Sequence, residues 1–243
     1  MYLGGLQILQ IYPMKRLFIL FCSVNIFLVS SCGTDDEKAL QNAAVENIYF
    51  DYQVLAEEGD DNLTVLIRFR DGEEEEAISL SAISSVSLDG EILTADSSKR
   101  TGAFYEAHKP IANFAGNHTI LFKDDEGNEY KEDFLFQPMA LTTFIPDTIN
   151  RTDLLLELEG LEPEDYVRVL ATDTLFTSRG INRLDTVNNG KLTLSRDDLG
   201  MLVNGPIQLE LIRENEKWVK NSTEAGGKIV INYRLRREFF LKD

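Results

Sequence analysis

Few side chains in this sequence are equipped for nucleophilic, acid–base or metal chemistry. It holds two cysteines (Cys22, Cys32), two histidines (His108, His118) and one tryptophan, Trp218. Catalysis needs a nucleophile beside its base, or a metal held by several ligands. His108 precedes Lys109-Pro110 at a predicted strand end and His118 lies on the next strand, so a shared metal is the first idea to weigh. No carboxylate stands at a ligand-like offset from either, and structural or solvated histidines are the better reading. The patterns G-x-S-x-G, H-E-x-x-H, G-x-G-x-x-G and the P-loop do not occur. Three acidic clusters invite calcium: Glu57-Glu58-Gly59-Asp60-Asp61, Asp71-Gly72 with residues 73–76, and Asp124-Asp125-Glu126-Gly127-Asn128-Glu129. None has the D-x-[DN]-x-[DN]-G spacing of an EF-hand, and each falls at a predicted turn, so solvated hairpin tips are expected. Trp218 lies in the polar stretch 214–221, read as a hairpin. An exposed indole there is a stacking platform for a sugar; one folded back beside Val219 is structural. The structural reading is preferred, because no second flat aromatic stands out nearby. The sequence thus points to a protein that is not an enzyme and uses no cofactor or metal.

Charge narrows the partners. The 243 residues carry 24 Lys+Arg against 41 Asp+Glu, a net charge of −17. Nucleic acid needs phosphate neutralisation, which this chain does not offer. A polybasic membrane anchor is excluded on the same ground. Two cysteines are too few for a disulfide-dense scaffold.

The acids are unevenly placed: none precedes Asp35. Met14-Lys15-Arg16 opens a basic region, and residues 17–29 are apolar except for Ser23 and Asn25. Small residues Ser30-Ser31 and then Cys32 follow. This is the layout of a secretory signal, with Met14 a better start than Met1. Val29-Ser30-Ser31-Cys32 resembles the lipobox of bacterial lipoproteins. The resemblance implies cleavage before Cys32, a diacylglycerol on its thiol and acylation of the new amino group. An ordinary signal with a chance cysteine is the alternative. Gly33-Thr34-Asp35-Asp36-Glu37-Lys38 has no Asp directly after the cysteine. It resembles the acidic export signal by which some gram-negative lineages send lipoproteins to the cell surface; a plain flexible tether is the alternative. Cleavage would remove Lys15 and Arg16 and move the net charge from −17 to −19. The expected segments are a signal at 1–31, a lipidated tether at 32–46 and folded domains at 47–138 and 139–243.

The elements that must position these residues are strands. Ile48, Phe50, Tyr52 and Val54 alternate, as do Leu63, Val65, Ile67 and Phe69. Turns such as Leu88-Asp89-Gly90 punctuate the runs, and about seven strands are read before Gln137. Gly116-Asn117-His118-Thr119-Ile120 resembles the G-x-Y-x-C segment at the start of strand F in immunoglobulin domains. The resemblance puts His118 where the corner tyrosine stands and Ile120 where the core cysteine stands; the cysteine pair and core tryptophan of that family are missing. After Pro138, strands are read at 142–145, around Leu154, Leu156 and Leu158, at 166–172, at 191–194 and at 207–211. Ser195 caps one short helix, 196–203. The final strand shares one face among Ile229, Ile231, Tyr233, Leu235, Phe239 and Leu241, broken by Arg237. The fold class is all-β: two tandem Ig-like β-sandwich domains, the second with one short helix. One larger sandwich is the alternative.

Three triplets, Asp147-Thr148-Ile149, Asp173-Thr174-Leu175 and Asp185-Thr186-Val187, resemble the D-[S/T]-aliphatic O-glycosylation sequon of the same lineages. The chain as a whole resembles outer-membrane lipoproteins with Ig-like domains and no assigned activity. What this implies is a binding or assembly module held at the outer membrane through Cys32, facing the cell surface or the periplasm. Its partner is an unknown envelope protein or glycan. A glycan-binding accessory of a polysaccharide uptake system, with Trp218 as its contact, is the first alternative; an envelope enzyme with an unrecognised site is the second.

Overall fold

Alternating apolar residues have only one stable use in water: one face of each strand must be covered by another sheet. In the computed structural model the described residues are 47–72, 77–98, 101–162, 165–175 and 178–243. Eight strands precede residue 138: β1 (Ile48–Glu57), β2 (Asn62–Asp71), β3 (Ser85–Leu88), β4 (Glu91–Ile92), β5 (Ala95–Ser98), β6 (Gly102–Pro110), β7 (Gly116–Lys123) and β8 (Glu129–Phe136). Eight follow: β9 (Ala140–Leu141), β10 (Thr148–Asn150), β11 (Leu154–Glu159), β12 (Tyr166–Thr172), β13 (Ile181–Thr186), β14 (Lys191–Leu194), β15 (Gly205–Trp218) and β16 (Gly227–Lys242). One helix, α1 (Arg196–Gly200), is three residues shorter than the sequence suggests. Ser195 and Asp198 close its amino end as a reciprocal capping box.

The strands form one large sheet and two small ones. The large sheet has the order β13-β12-β15-β16-β1-β2-β6-β5, with β10 also paired to β16. A four-stranded sheet, β4-β3-β7-β8, covers the first half, and a three-stranded sheet, β14-β11-β9, covers the second. Among the described residues the architecture is all-β with one short α-helix, as the alternation implies. The two halves are not separate in the sheet: β1 runs parallel to β16, with Phe50 opposite Gly227 and Glu57 opposite Arg234. One apolar cluster extends from Phe50 and Phe122 in the first half to Val169 and Leu241 in the second.

The β1–β16 junction depends on a glycine. A Cβ on Gly227 would lie 2.5 Å from the Cβ of Phe50 and 2.7 Å from its carbonyl oxygen. No side chain fits there, so only glycine lets the last strand approach the first. Phe50 then anchors the core, edge-on to Phe69 and Phe122 at centroid distances of 5.6 and 5.7 Å.

Position 118 behaves as the immunoglobulin resemblance implies. His118 Nε2 meets the carbonyl oxygen of Phe114, four residues upstream, at 2.7 Å, and Nδ1 meets Asp89 Oδ2 at 2.8 Å. Its ring stacks on Phe114 at 3.6 Å, and Ile120 is fully buried. The corner bond is therefore made by an imidazole.

Candidate functional site

β15 is the element to follow. The sequence reading ended this strand near Leu211 and put a hairpin at 214–221, but the strand continues to Trp218, in register with β16 to the Trp218–Lys228 pair. Even-numbered residues of β15 face away from the core. That puts Glu214, Glu216 and Trp218 in a row on the outer face. Trp218 is 74 % exposed. The expected indole folded beside Val219 is not found; the next residue, Val219, turns inward and is buried instead. The period-2 register forces the two neighbours to opposite sides.

The segment after Trp218 is held from several sides. Val219 N–H donates to the Gly227 carbonyl at 3.0 Å, and Lys220 N–H donates to Glu132 Oε2 at 2.8 Å. Asn221 Nδ2 donates to the Glu129 carbonyl at 3.4 Å, and the Thr223 hydroxyl donates to the Ile48 carbonyl at 2.6 Å. Glu132 is a buried carboxylate on β8, so the opposite sheet fixes the loop that presents Trp218.

β12 pairs with β15 only as far as Tyr166–Glu214. Beyond that point the edge of β15 borders a groove of about 690 Å³, lined by Glu162, Asp165, Tyr166, Leu184, Glu216 and Lys217 among others. Tyr166 is 47 % exposed on the same outer face as Trp218. It is the second flat aromatic that the sequence reading did not pick out, because its nearness depends on the β12–β15 register.

The floor of the groove is a buried polar knot. Arg213 Nε lies 2.7 Å from Asp165 Oδ2, and both side chains are almost fully buried. Asn215 Nδ2 donates to Asp165 Oδ1 at 2.5 Å. Arg213 also donates to the carbonyls of Gln137 at 2.8 Å and Gly160 at 3.1 Å. A buried charge is tolerated only when paired and hydrogen-bonded, and this one is both. The knot binds the end of the first half to the β11–β12 connection of the second. One signal pointed to it: Arg213 and Asn215 continue the inward parity of Ile207, Leu209 and Leu211.

The groove's charges cancel. Glu162 pairs with Lys217 at 2.8 Å, Asp165 with Arg213 at 2.7 Å, Glu214 with Arg168 at 2.5 Å and Glu216 with Lys228 at 3.3 Å. The hydrogen bond from Lys217 holds the Glu162 carboxyl below its ordinary value of 4.5.

The other candidates fall elsewhere. His108 and His118 are not strand neighbours: β6 belongs to the large sheet and β7 to the four-stranded sheet. His108 is exposed beside Thr64 and Glu106. Among the described residues no group of three His, Cys, Asp or Glu side chains is placed to hold a metal. Nor are the described acidic turns all free in solvent. Asp124 is buried and accepts the N–H groups of Glu126 and Asn128, closing its own hairpin. Glu57 pairs with Arg236 at 3.0 Å, and Glu58 pairs with Arg237. Thr148, Thr174 and Thr186 are all exposed. Cys32, the tether 32–46 and the acidic run 73–76 lie outside the described residues.

No family model matches the chain, and no curated protein does either. Among solved structures, the tandem Ig repeats of Dlar align over 76 % of this chain and 97 % of theirs, at 9 % identity and a TM-score of 0.25. A Bacteroides ovatus SGBP-B from a mixed-linkage glucan utilization locus, in complex with a mixed-linkage heptasaccharide, aligns over 86 % of this chain and 46 % of its own, at 12 % identity and a TM-score of 0.23. The Yersinia pseudotuberculosis adhesin InvE aligns over 80 % of this chain and 60 % of its own, at 14 % identity and a TM-score of 0.23.

Proposed function

We propose that this is a lipid-anchored protein of the outer membrane that acts as a non-catalytic binding or assembly module. The observation that carries the binding reading is Trp218: 74 % exposed, on a strand end whose following loop is fixed from two sheets. Exposing the one indole of the chain costs apolar burial, and fixing its support removes the freedom that would otherwise oppose binding. The anchoring reading rests on residues 14–32, with the basic start, the apolar run and Val29-Ser30-Ser31-Cys32 in order. Cys32→Ala tests it: the variant is expected in the soluble fraction, without incorporation of labelled fatty acid. Retention in the membrane together with undiminished labelling refutes it.

The acidic residues after Cys32 favour export to the cell surface, and protease shaving of intact cells distinguishes the two faces. Exposure of Thr148, Thr174 and Thr186 supports the O-glycosylation reading. Replacing all three with alanine is expected to lower the mass of the protein purified from its native cells; an unchanged mass removes the reading. The exposed indole also favours a glycan over a protein as the ligand.

A further inference from the structure

We infer that the groove lined by Tyr166, together with the exposed Trp218 one residue beyond its Lys217 wall, binds a neutral oligosaccharide; this rests on the binding-module reading above and gives it a ligand class. Three observations converge. The first is the aromatic pair. Trp218 lies four residues along β15 from Glu214, the register partner of Tyr166. At about 3.3 Å per residue and about 4.8 Å between strands, the two Cα atoms are roughly 14 Å apart. Both rings belong to the same outer face, so a chain of a few sugar rings can contact one aromatic at each end. Flat apolar rings suit the C–H faces of sugars.

The second is charge. In a chain of net charge −17, each carboxylate described at this groove has a cation of its own. No net charge is left to attract an ion, and the acidic remainder of the chain repels a polyanion. A paired carboxylate and ammonium still set an acceptor beside a donor. Glu216 with Lys228 and Glu162 with Lys217 each do so, and neighbouring sugar hydroxyls need that arrangement because each both donates and accepts.

The third is fixed geometry. Asp165 and Asn215 at the floor are more than nine-tenths buried and bonded to each other. The loop after Trp218 is tied to β8 and to Ile48. A groove of about 690 Å³ that is held open in this way has room for a short oligosaccharide.

The test uses the full-length protein extracted in detergent. It is titrated by calorimetry with neutral glucan, mannan and xylan oligosaccharides and with an oligogalacturonate. Binding of at least one neutral oligosaccharide, and not of the oligogalacturonate, is expected. Trp218→Ala and Tyr166→Ala should each weaken it by about tenfold or more. Phe144→Ala removes an exposed aromatic from the β9–β10 connection and should leave it unchanged. Thermal melts of all variants verify that they fold. Preference for the oligogalacturonate overturns the inference, and so does binding that survives both groove substitutions. If no sugar binds but cross-linking on cells yields an adduct to an envelope protein that Trp218→Ala abolishes, the glycan inference fails and the module reading stands. If neither sugar nor adduct is found, both fail.

Discussion

Replacing Arg213 with alanine tests whether the buried knot holds the two halves together. The guanidinium is 1 % exposed, pairs with Asp165 at 2.7 Å and satisfies the carbonyls of Gln137 and Gly160. Its removal leaves a carboxylate buried without its cation, which costs about 3–5 kcal/mol. The carbonyls of Gln137 and Gly160 lose a donor as well, at about 0.5–1.5 kcal/mol each. Against a whole stability of about 5–15 kcal/mol, Arg213→Ala should remove a large share. Urea unfolding followed by tryptophan fluorescence and by circular dichroism measures it. The midpoint should fall steeply, with both probes in agreement. The double variant Arg213→Met with Asp165→Leu removes both charges. It should recover most of the loss, because the cost comes from the unpaired ion rather than from the missing pair. A loss below about 1 kcal/mol in Arg213→Ala refutes the reasoning. So does a double variant as unstable as the sum of its parts.

Gly227→Ala should cost about 1–3 kcal/mol, since its Cβ would fall 2.5 Å from that of Phe50; a denaturation midpoint like that of the parent would show that β16 can shift. Glu132→Ala leaves the Lys220 N–H without its acceptor. It should raise hydrogen exchange at residues 219–223 while Glu132→Gln preserves protection, and equal exchange in both variants would remove Glu132 from its anchoring role. Acid should destabilise the fold through Glu162 and Asp173. Glu162 is held down by Lys217, and Asp173 by Ser178 and the Val203 N–H. A lowered carboxyl stabilises fully above its unfolded value, 4.5 for Glu162 and 3.8 for Asp173, and its contribution disappears as pH falls through the lowered value. The melting temperature should therefore drop on going from pH 5 to about pH 3, and Glu162→Gln should flatten part of that drop.

What could be read from the sequence was local. β12 and β14 fall where alternation puts them, and the Ser195 cap announces its helix three residues before Asp198 answers it. β13 is not among the strands that the sequence pattern marks after Pro138. It is an edge strand whose Arg183 points to the rim, pairing with Asp185 and Asp198 rather than filling the core. Polarity from Glu214 onward reads as a hairpin, although Arg213 and Asn215 both lie within β15. Their partners Gln137, Gly160 and Asp165 are remote in sequence, and only the folded chain supplies them. The same holds for Trp218: its exposure is set by a register with β16 that no local pattern contains. The aromatic pair of the groove likewise required the β12–β15 pairing.

The parallel pairing of β1 with β16 has a mechanical consequence. Because the two strands point the same way, Ile48 at the start of β1 lies at the same end of the sheet as Lys228 and its partner Trp218. A ligand held at Trp218 and a membrane tether leading into β1 would pull on points two strand spacings and three residues apart, roughly 14 Å. Tension would cross the Thr223–Ile48 and Phe50–Gly226 hydrogen bonds and the first rungs of β16, and then leave the protein. The rest of the large sheet and the three-stranded sheet would carry little of it. Such a molecule could be tugged by its cargo without its core being drawn apart, and its weakest link under load would be the few bonds beside Gly227.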